Sequence, residues 1–177
     1  MGDRLKDKRI IVTGGGSGLG KAIALRSAEQ GAKVLITARR AARLEATAKL
    51  SDQIHYVSAD LTSEEGPQNV VEEAVKVLGG IDVLVNNSGI FISPPIEETP
   101  MELYDKLFNV NVRGLYRMTR AALPELRKGN GPNIINMASI VGLIGIPNVT
   151  CYSATKGAVI QITRSLAAEL GPEKIRV

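Results

Sequence analysis

Tyr152 and Lys156 stand four positions apart, flanking Ser153-Ala154-Thr155 near the start of a long helix-forming stretch. On a helix that spacing puts phenol and ammonium one turn apart on the same face. A free tyrosine, with a pKa of about 10, transfers protons poorly at neutral pH. An adjacent ammonium favours the phenolate and makes the phenol a better acid. Ser139, thirteen positions before Tyr152, closes an apolar run across an intervening loop, and its hydroxyl could bond the same reacting oxygen. The pair alone is a common surface pattern. It becomes a candidate for proton transfer only if the fold brings serine, tyrosine and lysine to one place.

A second group lies near the start of the chain. Ile10-Ile11-Val12-Thr13 runs straight into Gly14, Gly15, Gly16, Gly18 and Gly20, and a helical pattern follows at once. A strand, a glycine turn and a helix N-terminus together hold phosphate, because glycine permits close backbone approach and the unpaired N–H groups attract an anion. The spacing is Gly14-x-x-x-Gly18-x-Gly20, not the commoner G-x-G-x-x-G. A flexible glycine loop would look the same in isolation.

The elements that must position these residues read as alternating strands and helices. Strands are expected at Arg9–Thr13, Lys33–Ala38, Ile54–Ser58, Asp82–Asn87 and Asn133–Ser139. The first helix is expected from Leu19, with Leu19, Ile23 and Ala24 on one face, to a terminating Gly31. The second spans roughly Ala41–Leu50, and the third opens at Gly66-Pro67 with Val70, Val71, Ala74, Val75 and Leu78 inward. Thr99, Pro100 and Glu102 predict a capping box for a fourth helix that runs to about Leu123, where Pro124 disturbs it. The fifth starts near Tyr152 and stops at Gly171-Pro172; Ile175–Val177 reads as the first half of a sixth strand. Nearly continuous apolar strands alternating with helices predict one α/β domain, a doubly wound parallel sheet covered on both faces.

In such a sheet the ligand crevice lies beyond the carboxyl ends of the strands. The polar and glycine residues cluster there: Gly14 after the first strand, Asp60 after the third, Asn86–Gly89 after the fourth, Ser139 at the end of the fifth. Tyr152 and Lys156 would stand beside that edge. A chance glycine loop does not predict this convergence.

The chain resembles the short-chain dehydrogenases/reductases, in the broad group that includes the 3-oxoacyl-carrier-protein reductases. The resemblance rests on Thr13-Gly14-x-x-x-Gly18-x-Gly20, Asp60, Asn86-Asn87-Ser88-Gly89, Asn111, Ser139 and Tyr152-x-x-x-Lys156, in order over essentially the whole chain. It implies a Rossmann fold and a hydride transfer between nicotinamide and a carbonyl or secondary alcohol. Tyr152 would be the general acid/base; Lys156 would lower its pKa and hold the nicotinamide ribose; Ser139 would steady the substrate oxygen. Asn111 would hold a water linking Lys156 to solvent, a use that explains an asparagine inside a helix. Thr13, Gly14, Ser17, Gly18, Leu19 and Gly20 would form the phosphate turn. Asp60 and Leu61 would meet the adenine, and Asn87, Ser88 and Gly89 would line the cleft. Ser88 departs from the family's more frequent alanine. The family also implies subunit pairing through the fourth and fifth helices, and a chain that continues past this point into a nicotinamide-contacting turn, a substrate-covering segment and a last strand. Against that pattern, residues 1–177 are expected to be the dinucleotide-binding and catalytic domain without its C-terminal part.

Charge predicts the cofactor. A fold that selects NAD places a carboxylate about 20 residues past the glycine turn. Here that position is Ala38, followed by Arg39 and Arg40. A unit-charge pair at about 4 Å and an effective dielectric near 20 is worth roughly 4 kcal/mol before desolvation. A third of that favours a 2′-phosphate about tenfold, so NADP(H) is expected over NAD(H), with Arg39 as the principal contact.

Composition excludes several other classes. The formal net charge of +4 is mild and scattered, and with 3% aromatic residues and no Trp the chain lacks the stacking platforms of a single-strand nucleic-acid binder. No apolar run approaches the roughly 18 residues that cross a bilayer, and Met1–Arg9 carries no secretory pattern. One cysteine, Cys151, fits a reducing compartment, the cytoplasm or an organelle matrix, and makes the sequons at Asn86 and Asn148 coincidental. A lone His55 beside a lone cysteine offers no metal set of the usual kind. The rival to an oxidoreductase is a non-catalytic nucleotide-binding or assembly module that keeps the fold.

Overall fold

The expected alternation is present in the computed structural model, which describes residues 3–177; Met1 and Gly2, at the start of the polar N-terminal stretch, lie outside them. Five parallel strands form one sheet: β1 (Arg9–Thr13), β2 (Lys33–Ala38), β3 (Ile54–Ser58), β4 (Val83–Asn86) and β5 (Asn133–Asn136), in the order β3-β2-β1-β4-β5. The order reverses between β1 and β4, which pair with Val12 opposite Val85. Their carboxyl ends therefore open the crevice at the switch point.

Alternate strand residues face opposite layers. Ile11, Leu35, Leu84 and Ile134 face α3 (Gly66–Leu78), α5 (Gly114–Leu126) and the end of α6 (Thr150–Leu170). Ile10, Val12, Val34, Ile36 and Val85 face α1 (Gly18–Glu29) and α2 (Ala41–Ala48). Burial on both faces explains why these strands read as continuous apolar runs. Each fully buried Ile or Leu contributes about 2 kcal/mol.

Several boundaries differ from expectation for identifiable reasons. Gly31, with φ +90°, does end α1 just past its Gln30 cap. Leu19, however, is 67% exposed and faces the crevice, not the core. Val75 is partly exposed, at the rim of the stripe formed by Val71, Ala74 and Leu78. The capping box does not form: Thr99 Oγ1 donates to the Pro95 carbonyl, and Pro100 is the cap of α4 (Met101–Phe108). The expected fourth helix is in fact α4 and α5 joined by a π-helical turn, Asn109–Arg113. Pro124 lies inside α5 without ending it at once: its missing N–H leaves the Arg120 carbonyl without that donor, and the helix continues only to Leu126. β4 and β5 are shorter than expected, since Asn87 turns to Thr13, and past the Met137 N–H, which still reaches the Asn86 carbonyl, the chain leaves the ladder for the turn that Ser139 caps. Beyond α6, Arg176 pairs with Asn133 in a parallel bridge, so the expected sixth strand has its first contact.

At the amino edge of the sheet a charge lock ties β1 to β4. Arg9 Nε and Nη2 donate to the two oxygens of Asp82 at 2.9 and 2.7 Å, its backbone N–H donates to Oδ2, and Nη1 donates to the Gly79 carbonyl. The Asn130 backbone N–H also donates to Asp82. Burial pushes the Asp82 carboxyl up, but the donors from Arg9 and Asn130 outweigh it and hold the group down at about 2.

Candidate active site

The glycine turn is shaped by contacts that leave no room for side chains. Gly14 has φ +71°, and a Cβ on Gly20 would stand 2.3 Å from the Gly14 carbonyl oxygen and 2.5 Å from Asn87 Nδ2. Gly18, with φ +54°, has open space around it and needs glycine for its backbone alone. Thr13 is buried beneath the turn. Its hydroxyl accepts from the Asn87 and Ser88 backbone N–H groups, both at 2.9 Å, and its carbonyl accepts from Asn87 Nδ2. Thr13 thus clamps the end of β4 to the turn and shapes the crevice from below.

The crevice has a volume of about 690 Å³. Gly14, Ser17, Leu19 and Gly20 line one side, Asn87, Ser88 and Gly89 the other, and Asp60 and Leu61 the far end. Arg39 and Arg40 also line it, and so does Arg43, which sequence reasoning missed. None of the three arginines forms an ion pair among the described residues. They gather at the start of α2, whose dipole adds positive potential. The Thr62 backbone N–H and hydroxyl, at 2.9 and 2.8 Å, hold Asp60 below the usual carboxylate range, and Arg39 adds to the effect. The glycine cradle, helix N-terminus and arginine group suit the phosphates of a dinucleotide.

Gly89 joins this crevice to a second cluster. A Cβ there would lie 3.3 Å from Asn111 Oδ1 and 3.9 Å from Lys156 Nζ. Lys156 is buried on α6, and Nζ donates to the Met137 carbonyl at 2.7 Å, just past β5. Burial lowers its pKa below the ordinary lysine value. The same ammonium is 5.6 Å from the centroid of the Tyr152 ring, so the expected one-turn relation holds and both residues stand at the rim that carries Gly14 and Gly89.

Asn111 occupies the π turn, which explains a buried asparagine inside a helix. π turns recur at functional sites. Its Oδ1 accepts from the Ile90 N–H at 2.8 Å, and Nδ2 donates to the Ile90 carbonyl at 2.9 Å and to Thr155 Oγ1 at 3.2 Å. Thr155 Oγ1 in turn donates to the Tyr152 carbonyl. Ser139 follows β5 and caps a short 3₁₀ turn, Ile140–Gly142, accepting from the Val141 N–H. A Cβ on Gly142 would come 2.9 Å from the Lys156 carbonyl oxygen, so this loop presses backbone to backbone on the turn of α6 that carries the ammonium. Below these residues, Asn86 Nδ2 donates to Thr119 and Asn136, and Asn136 Nδ2 to Thr163, tying β4, β5, α5 and α6 together.

Sequence reasoning also missed Phe91, whose ring meets Tyr152 edge to face at 4.8 Å and 88°, and the bracing roles of Thr155 and Gly142. Arg43 had a legible signal, one helical turn after Arg39 and Arg40. Phe91 had none, since only the fold brings the loop after β4 against α6. His55 is exposed on β3. Cys151 is partly buried, which pushes its thiol up. Among the described residues no three His, Cys, Asp or Glu side chains converge, and no helix is long and apolar enough to cross a membrane.

The profile of the family described as short chain dehydrogenase matches residues 8–177. The NADP-dependent (R)-specific alcohol dehydrogenase of Lentilactobacillus kefiri is 41% identical over 96% of this chain and 69% of its own length. Among solved structures, 3-ketoacyl-(acyl-carrier-protein) reductase from Brucella melitensis, complexed with NADH, is similar at a TM-score of 0.93 and 42% identity, over 98% of this chain and 73% of that one. A short chain dehydrogenase from Burkholderia cenocepacia in complex with NADP follows at 0.92 and 35%, with the same coverage.

Proposed function

This chain belongs to the short-chain dehydrogenase family and is an NAD(P)-dependent oxidoreductase; from that premise we propose that it reduces carbonyls to secondary alcohols with NADPH, Tyr152 supplying the proton. The observation that carries this reading is the position of Gly89, which borders the arginine-lined crevice on one side and Asn111 and Lys156 on the other. A bound nicotinamide supplies the hydride, or accepts it in the reverse direction. Tyr152 Oη gives its proton to the carbonyl oxygen, a role worth about 10²–10⁴-fold. The Lys156 ammonium stabilises the phenolate left behind, and the Ser139 hydroxyl steadies the same oxygen by donating to it. Asn111 and Thr155 hold the first turn of α6, and Asn111 is assigned the water through which Lys156 meets solvent. Thr13, Gly14, Ser17, Gly18, Leu19 and Gly20 shape and line the pyrophosphate side. Asp60 and Leu61 take the adenine, Asn87, Ser88 and Gly89 the ribose and nicotinamide side.

Selection of NADPH follows from the arginines. Arg39 is the principal 2′-phosphate contact, supported by Arg40 and Arg43, since a pair worth even about 1.4 kcal/mol changes affinity tenfold. The L. kefiri relative is named NADP-dependent and the B. cenocepacia neighbour was solved with NADP, whereas the B. melitensis neighbour was solved with NADH. Residues 1–177 form the dinucleotide-binding and catalytic unit, and copies pair through the exposed faces of α5 and α6.

The test combines nucleotide titration with NADPH oxidation over a panel of ketones. NADPH is expected to bind at least about tenfold tighter than NADH, a margin lost in Arg39→Ala, and Tyr152→Phe to bind NADPH normally while losing turnover about 10³-fold. Equal nucleotide affinities would sink the NADPH assignment. Binding without turnover in either protein would make the chain a nucleotide-binding module.

A further inference from the structure

We infer that the carbonyl site accepts aryl or alkyl ketones and rejects polyhydroxylated or phosphorylated ones, and that Phe91 makes this choice. The inference rests on Tyr152 being the group that meets the substrate oxygen. Phe91 is 62% exposed, yet its ring is seated against Tyr152. The residue before it is fixed, because Asn111 bonds both the N–H and the carbonyl of Ile90. An aromatic ring held in place beside the reacting hydroxyl, with most of its surface in water, is a wall that gains by being covered.

The loop after β5 supplies a matching wall. Ile140 and Leu143, 62% and 66% exposed, follow Ser139 directly, and Gly142 between them holds that loop against α6. An oxygen held by both Ser139 and Tyr152 would carry its substituents towards the ring seated on Tyr152 and the loop that Ser139 opens. The flanking segments bring no charge to change this character. Residues 88–96 and 137–155, the two segments that flank the site, contain no Asp, Glu, Lys, Arg or His. The adjacent Lys156 ammonium is buried and bonded to Met137. A phosphate or carboxylate would find no counter-charge on these walls. Each buried hydroxyl left without a partner would cost about 1–3 kcal/mol.

The test uses three ketones that differ only in what surrounds the carbonyl: acetophenone, dihydroxyacetone and dihydroxyacetone phosphate. Their binding to the chain in the presence of NADP⁺ is read by ligand-observed NMR, without reference to turnover. Acetophenone is expected to bind at least about tenfold tighter than either polar ketone. Phe91→Ala should weaken acetophenone about tenfold, and Phe91→Leu by no more than about twofold, with NADP⁺ affinity and melting temperature unchanged because the ring is mostly in water. Equal or tighter binding of a polar ketone, indifference to Phe91→Ala, or no binding of any of the three would overturn the inference. Sedimentation on the same samples identifies a second copy of the chain as the occupant if binding fails and mass rises. NADPH oxidation measured in parallel separates the two claims. Acetophenone binding without turnover sinks the reductase reading and leaves the ketone preference intact, whereas turnover of dihydroxyacetone phosphate with weak acetophenone binding does the opposite.

Discussion

The two edges of the sheet are built from the same strands and both carry charged side chains, yet they use them in opposite ways. At the amino edge, Arg9 and Asp82 satisfy each other, and Gly79 and Asn130 take up further donors and acceptors. At the carboxyl edge, Lys156 has one carbonyl acceptor, and Arg39, Arg40 and Arg43 have no ion-pair partner among the described residues. A charge enclosed with its counter-charge lends stability and is lost to ligands. Lys156, enclosed without one, costs stability, whereas the three arginines are exposed and available to an anion. Asp82 and Lys156 are both buried, and only the first has its counter-charge; that completeness separates the stabilising charge from the functional one.

Variants at the two edges should therefore fail differently. The largest effect is expected for Asp82→Ala, which leaves the Arg9 guanidinium partly buried and unpaired: about 3–5 kcal/mol of unfolding free energy in a urea titration, with NADPH affinity of the remaining native protein unchanged. Gly20→Ala should do the reverse. Its methyl cannot fit against the Gly14 carbonyl, so the turn must open, and NADPH affinity should fall about a hundredfold, measured by nucleotide fluorescence. If Gly20→Ala bound normally, the turn would not be the phosphate cradle.

Acid should act through the amino edge first. Because the Asp82 carboxyl is held at about 2, below the ordinary aspartate value of 3.8, its contribution is complete above pH 4 and disappears as pH falls towards 2. The shift corresponds to about 2 kcal/mol, and this portion of the pH dependence should be missing in Asp82→Asn. The smallest effect is expected for Lys156→Met. Burial lowers the lysine pKa, so the folded state carries its ammonium at a cost that shrinks as pH rises towards the ordinary lysine range. Removing that charge should raise stability by about 1 kcal/mol at pH 7 while NADPH oxidation is lost. A destabilised Lys156→Met protein would mean that the Met137 bond makes this charge stabilising, and the contrast between the edges would narrow.

Much of this architecture is legible in the residues themselves. β1, β2, β3 and α3 begin and end where the apolar runs meet Gly14, Gly31 and the Gly66-Pro67 pair, because apolar continuity and glycine backbone freedom are local properties. The meeting of Gly14, Asn87 and Gly89 at one edge follows from parallel topology alone. What was hidden depends on neighbours distant in sequence. Leu19 fits a helical apolar stripe but faces the crevice, and Phe91 acquires meaning only against Tyr152. The π turn is invisible because Leu107, Asn111, Leu115 and Met118 are spaced as in an unbroken α-helix. Thr99 matched a cap pattern, but its hydroxyl donates back to the Pro95 carbonyl instead of accepting from a helix N–H.

That π turn carries an implication for how the scaffold and its chemistry can be separated. A π turn holds one residue more than the α-helical turn it replaces. Excising a single residue from Asn109–Arg113 should let α4 and α5 fuse into one smooth rod, with Leu107, Met118 and Ala122 still turned towards the interior they now fill. The carboxamide of Asn111 would then swing away from Ile90 and Thr155, so the product would be a well-folded molecule whose reactive corner had lost its brace.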